Sequence, residues 1–174
     1  MKNILLLLFL IISLSGFSQN NSFAFLKVGN EWKYVLTSEE GDEESVIFRI
    51  LDKKKDHFIV EQVWGKEKQE TVWYVDGEYL REFSKGSDPS GSWIIMKTNP
   101  HIGDTWSSNL GFERISFEIV ATDQHVETKA GVFDNAYKVI IRYSNGALMY
   151  TTYFSQDIGP LSAFNKGELV SINF

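Results

Sequence analysis

Thr71-Val72-Trp73-Tyr74-Val75-Asp76-Gly77-Glu78-Tyr79-Leu80-Arg81-Glu82-Phe83 decides the fold class of this chain. β-branched and aromatic residues flank Asp76-Gly77, a dipeptide suited to a two-residue hairpin turn because both residues tolerate a positive φ. The stretch predicts two antiparallel strands, 71–75 and 78–83, around a type I′ turn. Successive strand side chains point to opposite faces, so Trp73 and Tyr74 separate, and at least one of them is placed to line a cavity or groove.

Working outward, the same alternation recurs on both sides. Phe58, Val60, Gln62 and Trp64 alternate against Ile59, Glu61 and Val63, and the partly apolar character of both faces suggests a central strand. Val46, Phe48 and Ile50 share a face of an earlier strand, and Trp32, Tyr34 and Leu36 share a face of the first, with turns at 39–43 and 53–56. Beyond Phe83, residues 84–92 form a loop rich in Gly, Pro and Ser, followed by strands at 93–97, 113–121, 136–143, 148–154 and 168–172, with Asn145-Gly146 as a further turn. Helical periodicity is absent from this part of the sequence. The expectation is one all-β domain over 19–174, an antiparallel meander curled into a barrel, half-barrel or two-layer sandwich to hide its edges.

One pattern occurs twice. Val28-Gly29-Asn30-Glu31-Trp32 returns as Ile102-Gly103-Asp104-Thr105-Trp106. Gly followed by Asn or Asp is turn chemistry, and Trp two residues later suits the first inward position of a strand. Each copy predicts a turn delivering an aromatic into a core. The halves align poorly elsewhere, which favours convergent use of a good strand-start turn over duplication.

Lys2 precedes an apolar run over 4–14 and then Ser15-Gly16-Phe17-Ser18, the pattern of a signal peptide (1–18) cleaved before Gln19. The run is too short to span a bilayer well, so no transmembrane segment is expected after cleavage. With no Cys in the chain, neither a lipobox nor a disulfide is available, which suits a periplasmic or secreted bacterial domain held by its core alone. The net charge of −6, more negative once Lys2 is removed, argues against nucleic acid, because neutralising phosphate takes clustered Lys and Arg.

Three local signatures carry a resemblance: 26–34 around Gly29-Asn30-Glu31-Trp32, Ala130-Gly131-Val132-Phe133-Asp134-Asn135-Ala136 in the centre, and Tyr153-Phe154-Ser155-Gln156-Asp157-Ile158-Gly159-Pro160-Leu161 near the end. In these the chain resembles the exported bacterial TapB-like domains of unknown function. It departs from them at Lys129, where Pro is common, and at Asp157-Ile158-Gly159-Pro160, where Gly and Val are usual. The resemblance implies a β-rich fold and export, and brings no activity or catalytic residue with it.

Chemistry is sparse. His57, His101 and His125 have no metal-ligand spacing, and no Ser lies in a nucleophile elbow. Glu61, Glu118 and Glu127 are the strand carboxylates that a glycosidase would use, although Glu alternating along a sheet usually marks its solvent face. The acidic run over 39–44 lacks the spacing of a Ca²⁺ loop and reads as a solvated hairpin tip. Neither catalytic nor metal-binding residues are assigned, and no cofactor is expected. The aromatics remain, and Trp73, Tyr74 and Trp64 are the candidate ligand-binding residues, for a lipid tail, a glycan or an apolar peptide. The simpler account is that they fill the core. A non-catalytic binding or envelope-accessory protein, working on such a ligand or on an envelope protein, is the leading expectation; the alternatives are a secreted hydrolase with paired carboxylates and a structural subunit of a surface assembly.

Overall fold

A computed structural model describes residues 23–38, 40–110, 113–163 and 167–174; the signal peptide expected at 1–18 and its cleavage point lie outside the described residues, as does Glu39 of the first hairpin turn. The chain is all-β. Its strands are β1 (Glu31–Thr37), β2 (Glu43–Lys54), β3 (His57–Trp64), β4 (Glu67–Asp76), β5 (Tyr79–Ser84), β6 (Trp93–Lys97), β7 (Thr105–Leu110), β8 (Glu113–Thr128), β9 (Gly131–Tyr143), β10 (Leu148–Ser155), β11 (Gly159–Pro160), β12 (Ser162–Ala163) and β13 (Gly167–Asn173). A short 3₁₀ turn, Pro89–Gly91, is capped by the Asp88 carboxylate and interrupts the loop before β6.

Two antiparallel sheets form, each curled into a half-barrel. The eight-stranded sheet has the order β12-β13-β1-β2-β3-β4-β5-β6 and the five-stranded sheet β11-β10-β9-β8-β7. Both are meanders, except that β13 returns from the end of the chain to pair with β1. Their concave faces share one core containing Trp32, Tyr34, Val60 and Leu80 from the first sheet and Ile115, Ile119, Val139 and Phe154 from the second.

Side chains join the sheets where their edges meet. At one seam the Ser108 hydroxyl of β7 accepts from Ile94 N–H of β6 (2.6 Å), and Trp106 Nε1 donates to Ile94 O (3.4 Å). At the other, the chain crosses between sheets through β11, buried Leu161 and β12. There Trp32 Nε1 donates to Ile158 O (2.6 Å), Tyr34 Oη to Pro160 O (2.7 Å), and Tyr153 N–H to Ser162 Oγ (3.1 Å). Edge groups that would otherwise be unpaired are thereby satisfied.

The two Gly-Asn/Asp-x-Trp turns have the same construction. Gly29 and Gly103 adopt φ of 96° and 89°. Gly29 N–H donates to Ile50 O and Ile50 N–H to Asn30 O; in the second copy Gly103 N–H donates to Ile119 O and Ile119 N–H to Asp104 O. Each turn thus opens the first strand of a sheet against the second strand, and sends Trp32 and Trp106 into the core.

Two local expectations are corrected. The central hairpin turns at Gly77-Glu78, one residue later than expected, because Asp76 pairs with Tyr79 and its carboxylate accepts from Arg81 Nε at 2.8 Å. Only Gly77 has positive φ, the pattern of a II′ turn with Gly first rather than I′. The strands expected at 113–121 and 136–143 extend into one long hairpin, β8–β9. Register shifts at Ile119/Ala121, Ala121/Gln124 and Gln124/Val126 break the alternation that reveals a strand in sequence.

Candidate functional site

Between the half-barrels lies a cavity of about 390 Å³, at the small end of the range for small-molecule sites. Alternation along each strand builds it. Gln69, Thr71 and Trp73 of β4 face inward beside Gln62 and Trp64 of β3 and Glu82 and Ser84 of β5, while Trp93 and Ile95 of β6 extend the wall. Phe117, Val139, Ile141 and Tyr150 form the opposite, largely apolar wall. Gln69 and Ser84 are exposed and Trp64, Trp93 and Tyr150 half-buried, so the mouth lies where β3 and β5 end and β4, β6 and β10 begin.

The other end is closed by the segment preceding β1. Phe23 and Phe25 are buried, and the Phe25 ring meets Trp32, Trp73 and Phe154 edge-on at 5.6, 6.4 and 5.6 Å. Asn30 Nδ2 holds Phe25 O at 2.8 Å, and Ala24 N–H donates to Gln156 O at 3.0 Å. Gly159 passes so close that a Cβ there would stand 3.1 Å from the Phe25 ring.

A polar track runs down one wall from the mouth. Gln69 Nε2 donates to Gln62 Oε1 (2.7 Å), which turns the Gln62 amide nitrogen toward Glu82 Oε1 (2.6 Å) and Thr71 Oγ1 (3.3 Å). Glu82 is only 7% exposed. It stands directly opposite Trp73 on β4 and Trp93 on β6. Burial pushes its carboxyl above the usual carboxylate range, although the Gln62 amide, the Thr71 hydroxyl and the Trp73 and Trp93 indoles all favour the charged form. Trp73 Nε1 exerts that pull without a hydrogen bond of normal geometry. It is the one buried side-chain polar atom without a partner among the described residues. Burial also pushes the Tyr34 and Tyr150 hydroxyls up, so neither ionises near neutrality.

Of the residues singled out in sequence, Trp73 and Trp64 line the cavity. Tyr74 lies on the opposite face, stacked on His57 with ring centroids 5.2 Å apart, its hydroxyl 3.0 Å from Ser92 Oγ. Glu61, Glu118 and Glu127 do not line it. Glu61 is paired with Arg49 (3.0 Å) and Lys68 (3.4 Å), and Glu127 sits near exposed His125 (3.7 Å) on the β8–β9 hairpin. His101 belongs to the second Gly-Asp-x-Trp turn, and the described residues contain no cluster of His and acidic side chains suited to a metal ion. Sequence reasoning missed Glu82. The available signal was its register, two residues after inward Leu80 and opposite Trp73, which puts an acid on an apolar face.

No family model, curated protein or solved structure matches this chain.

Proposed function

We propose that this is an exported, non-catalytic binding protein whose cavity holds a small, largely apolar molecule. The observation that carries the reading is the cavity itself: about 390 Å³, walled by Trp64, Trp73, Trp93, Phe48 and Tyr150, closed at one end and open at the other. Concave, mostly apolar space with a few placed polar groups is what a small-molecule site requires. Export to the periplasm or the outside of the cell rests on the apolar run over 4–14, the small residues Gly16 and Ser18, and the likeness to TapB-like domains. A glycosidase needs two acids about 5 to 10 Å apart, whereas Glu82 is the single carboxylate among the residues lining this cavity.

The test is a fluorescence titration of the purified protein with N-phenyl-1-naphthylamine, a neutral dye that brightens in apolar surroundings. Saturable binding at one site is expected, abolished by Ser84→Trp, which fills the mouth at an exposed position and leaves the far-UV circular dichroism unchanged. Absence of saturable binding, or binding indifferent to that substitution, overturns the reading.

A further inference from the structure

Resting on the reading of the cavity as a ligand site, we propose that its guest is an organic cation, an amine whose ammonium group sits against Glu82 between the indoles of Trp73 and Trp93. The residues lining the cavity include one acid and no Lys, Arg or His, and Glu82 has no cationic partner among the described residues. A buried carboxylate without a counter-charge is costly, and such a group either stays protonated or acquires a cation. The surroundings are arranged for the charged form. Gln62 Nε2 donates to Glu82 Oε1 at 2.6 Å, and Trp73 and Trp93 are its cross-strand neighbours on either side. Indole and phenyl faces attract ammonium groups through their negative π-clouds, and this attraction grows in dry surroundings. Trp64 and Phe48 bring further rings to the lining, while Trp73 and Trp93 turn their indole N–H groups toward Glu82. An anionic guest would instead meet Glu82 with no cation to neutralise either charge. Phe117, Val139 and Ile141 across the cavity suit the apolar body of the amine.

Proton balance follows from the empty site. Where Glu82 holds its proton, binding converts carboxylic acid and ammonium into a carboxylate–ammonium pair and releases one proton to solvent. The groups facing Glu82 are Gln62 on β3, Thr71 and Trp73 on β4 and Trp93 on β6, none of which titrates near neutrality. Affinity for the amine therefore rises with pH through the raised range of Glu82, until the amine loses its own proton at about pH 10.

Three probes of one chain length separate the possibilities: n-octylamine, 1-octanol and octanoate, each displacing N-phenyl-1-naphthylamine at neutral pH. Octylamine is expected to bind roughly tenfold tighter than octanol, with octanoate weakest, as for a charge-assisted contact. Glu82→Gln keeps the shape of the side chain and is expected to remove that advantage, bringing octylamine down to the affinity of octanol. Calorimetry of the unsubstituted protein with octylamine, in two buffers of different ionisation enthalpy and just below the titration of Glu82, should show proton release. Octanol or octanoate binding as tightly as octylamine, or amine binding without proton release, overturns the cation proposal and leaves the cavity reading standing. Failure of the dye and all three probes to bind overturns both.

Discussion

Glu82 is an acid held where water scarcely reaches, and that placement governs how stability responds to pH. Its folded-state pKa is raised by burial, so between the ordinary carboxylate value of about 4.3 and the raised value the folded protein keeps a proton that the unfolded chain loses. Its contribution to stability falls as pH rises through that window and is level above it. Glu82→Gln should therefore flatten this part of the Tm–pH profile and raise Tm relative to the parent at the upper end of the window; an unchanged slope contradicts the assignment. Trp73 makes the opposite point about deletion. It is 3% exposed and packed against Phe25, Trp32 and Phe48, so Trp73→Ala should cost about 3–5 kcal/mol in chemical denaturation. Loss of ligand binding by that variant alone is therefore uninformative, and Ser84→Trp is the cleaner probe of the cavity. Alternation separated Trp73 from Tyr74 correctly in sequence. It did not bring Glu82 forward, because an acid on a strand is ordinarily solvent-facing and its burial depends on a second sheet formed by later parts of the chain.

Among the elements, the two Gly-Asn/Asp-x-Trp turns give the sharpest expectation. A Cβ at Gly29 or Gly103 would meet nothing within 4 Å, so replacement by Ala is opposed by the backbone alone. Gly29→Ala and Gly103→Ala should each lower stability by about 1–2 kcal/mol, the strain of a left-handed non-Gly residue, in urea unfolding. Very different costs at the two sites would argue against their equivalence. The seam makes a separate prediction. Ser108→Ala leaves the Ile94 N–H of β6 without its acceptor, a loss of about 1–3 kcal/mol. Hydrogen exchange should quicken at Ile94 before it does at residues in the middle of the first sheet. Strands with clean alternation were legible from sequence, including β1, the inner part of β3 and the β4–β5 pair. The outer half of the β8–β9 hairpin was not, since its bulges and the positive φ of Asp123 and Asn135 destroy the period of two. The two-residue strands β11 and β12 have no sequence pattern to find; pairing with β10 and β13 creates them.

At the largest scale, two half-barrels face each other across this cavity, with aromatic packing below and an open rim above. Composition and hairpin spacing made the all-β class legible, but the division into two half-barrels depends on pairings such as β13 with β1 that join distant parts of the chain. The cavity exists only because the two sheets face each other. A guest entering this space would be reported separately by the five Trp residues. Trp64, Trp73 and Trp93 line the cavity, whereas Trp32 and Trp106 spend their indole N–H groups on Ile158 O and Ile94 O at the seams. The most direct measurement is an ¹H–¹⁵N correlation spectrum of the indole N–H groups, assigned by single Trp→Phe variants and followed during titration with N-phenyl-1-naphthylamine. Saturable shifts are predicted at Trp64, Trp73 and Trp93, with Trp32 and Trp106 nearly unmoved; shifts confined to Trp32 and Trp106, or none at all, would contradict a guest in this cavity.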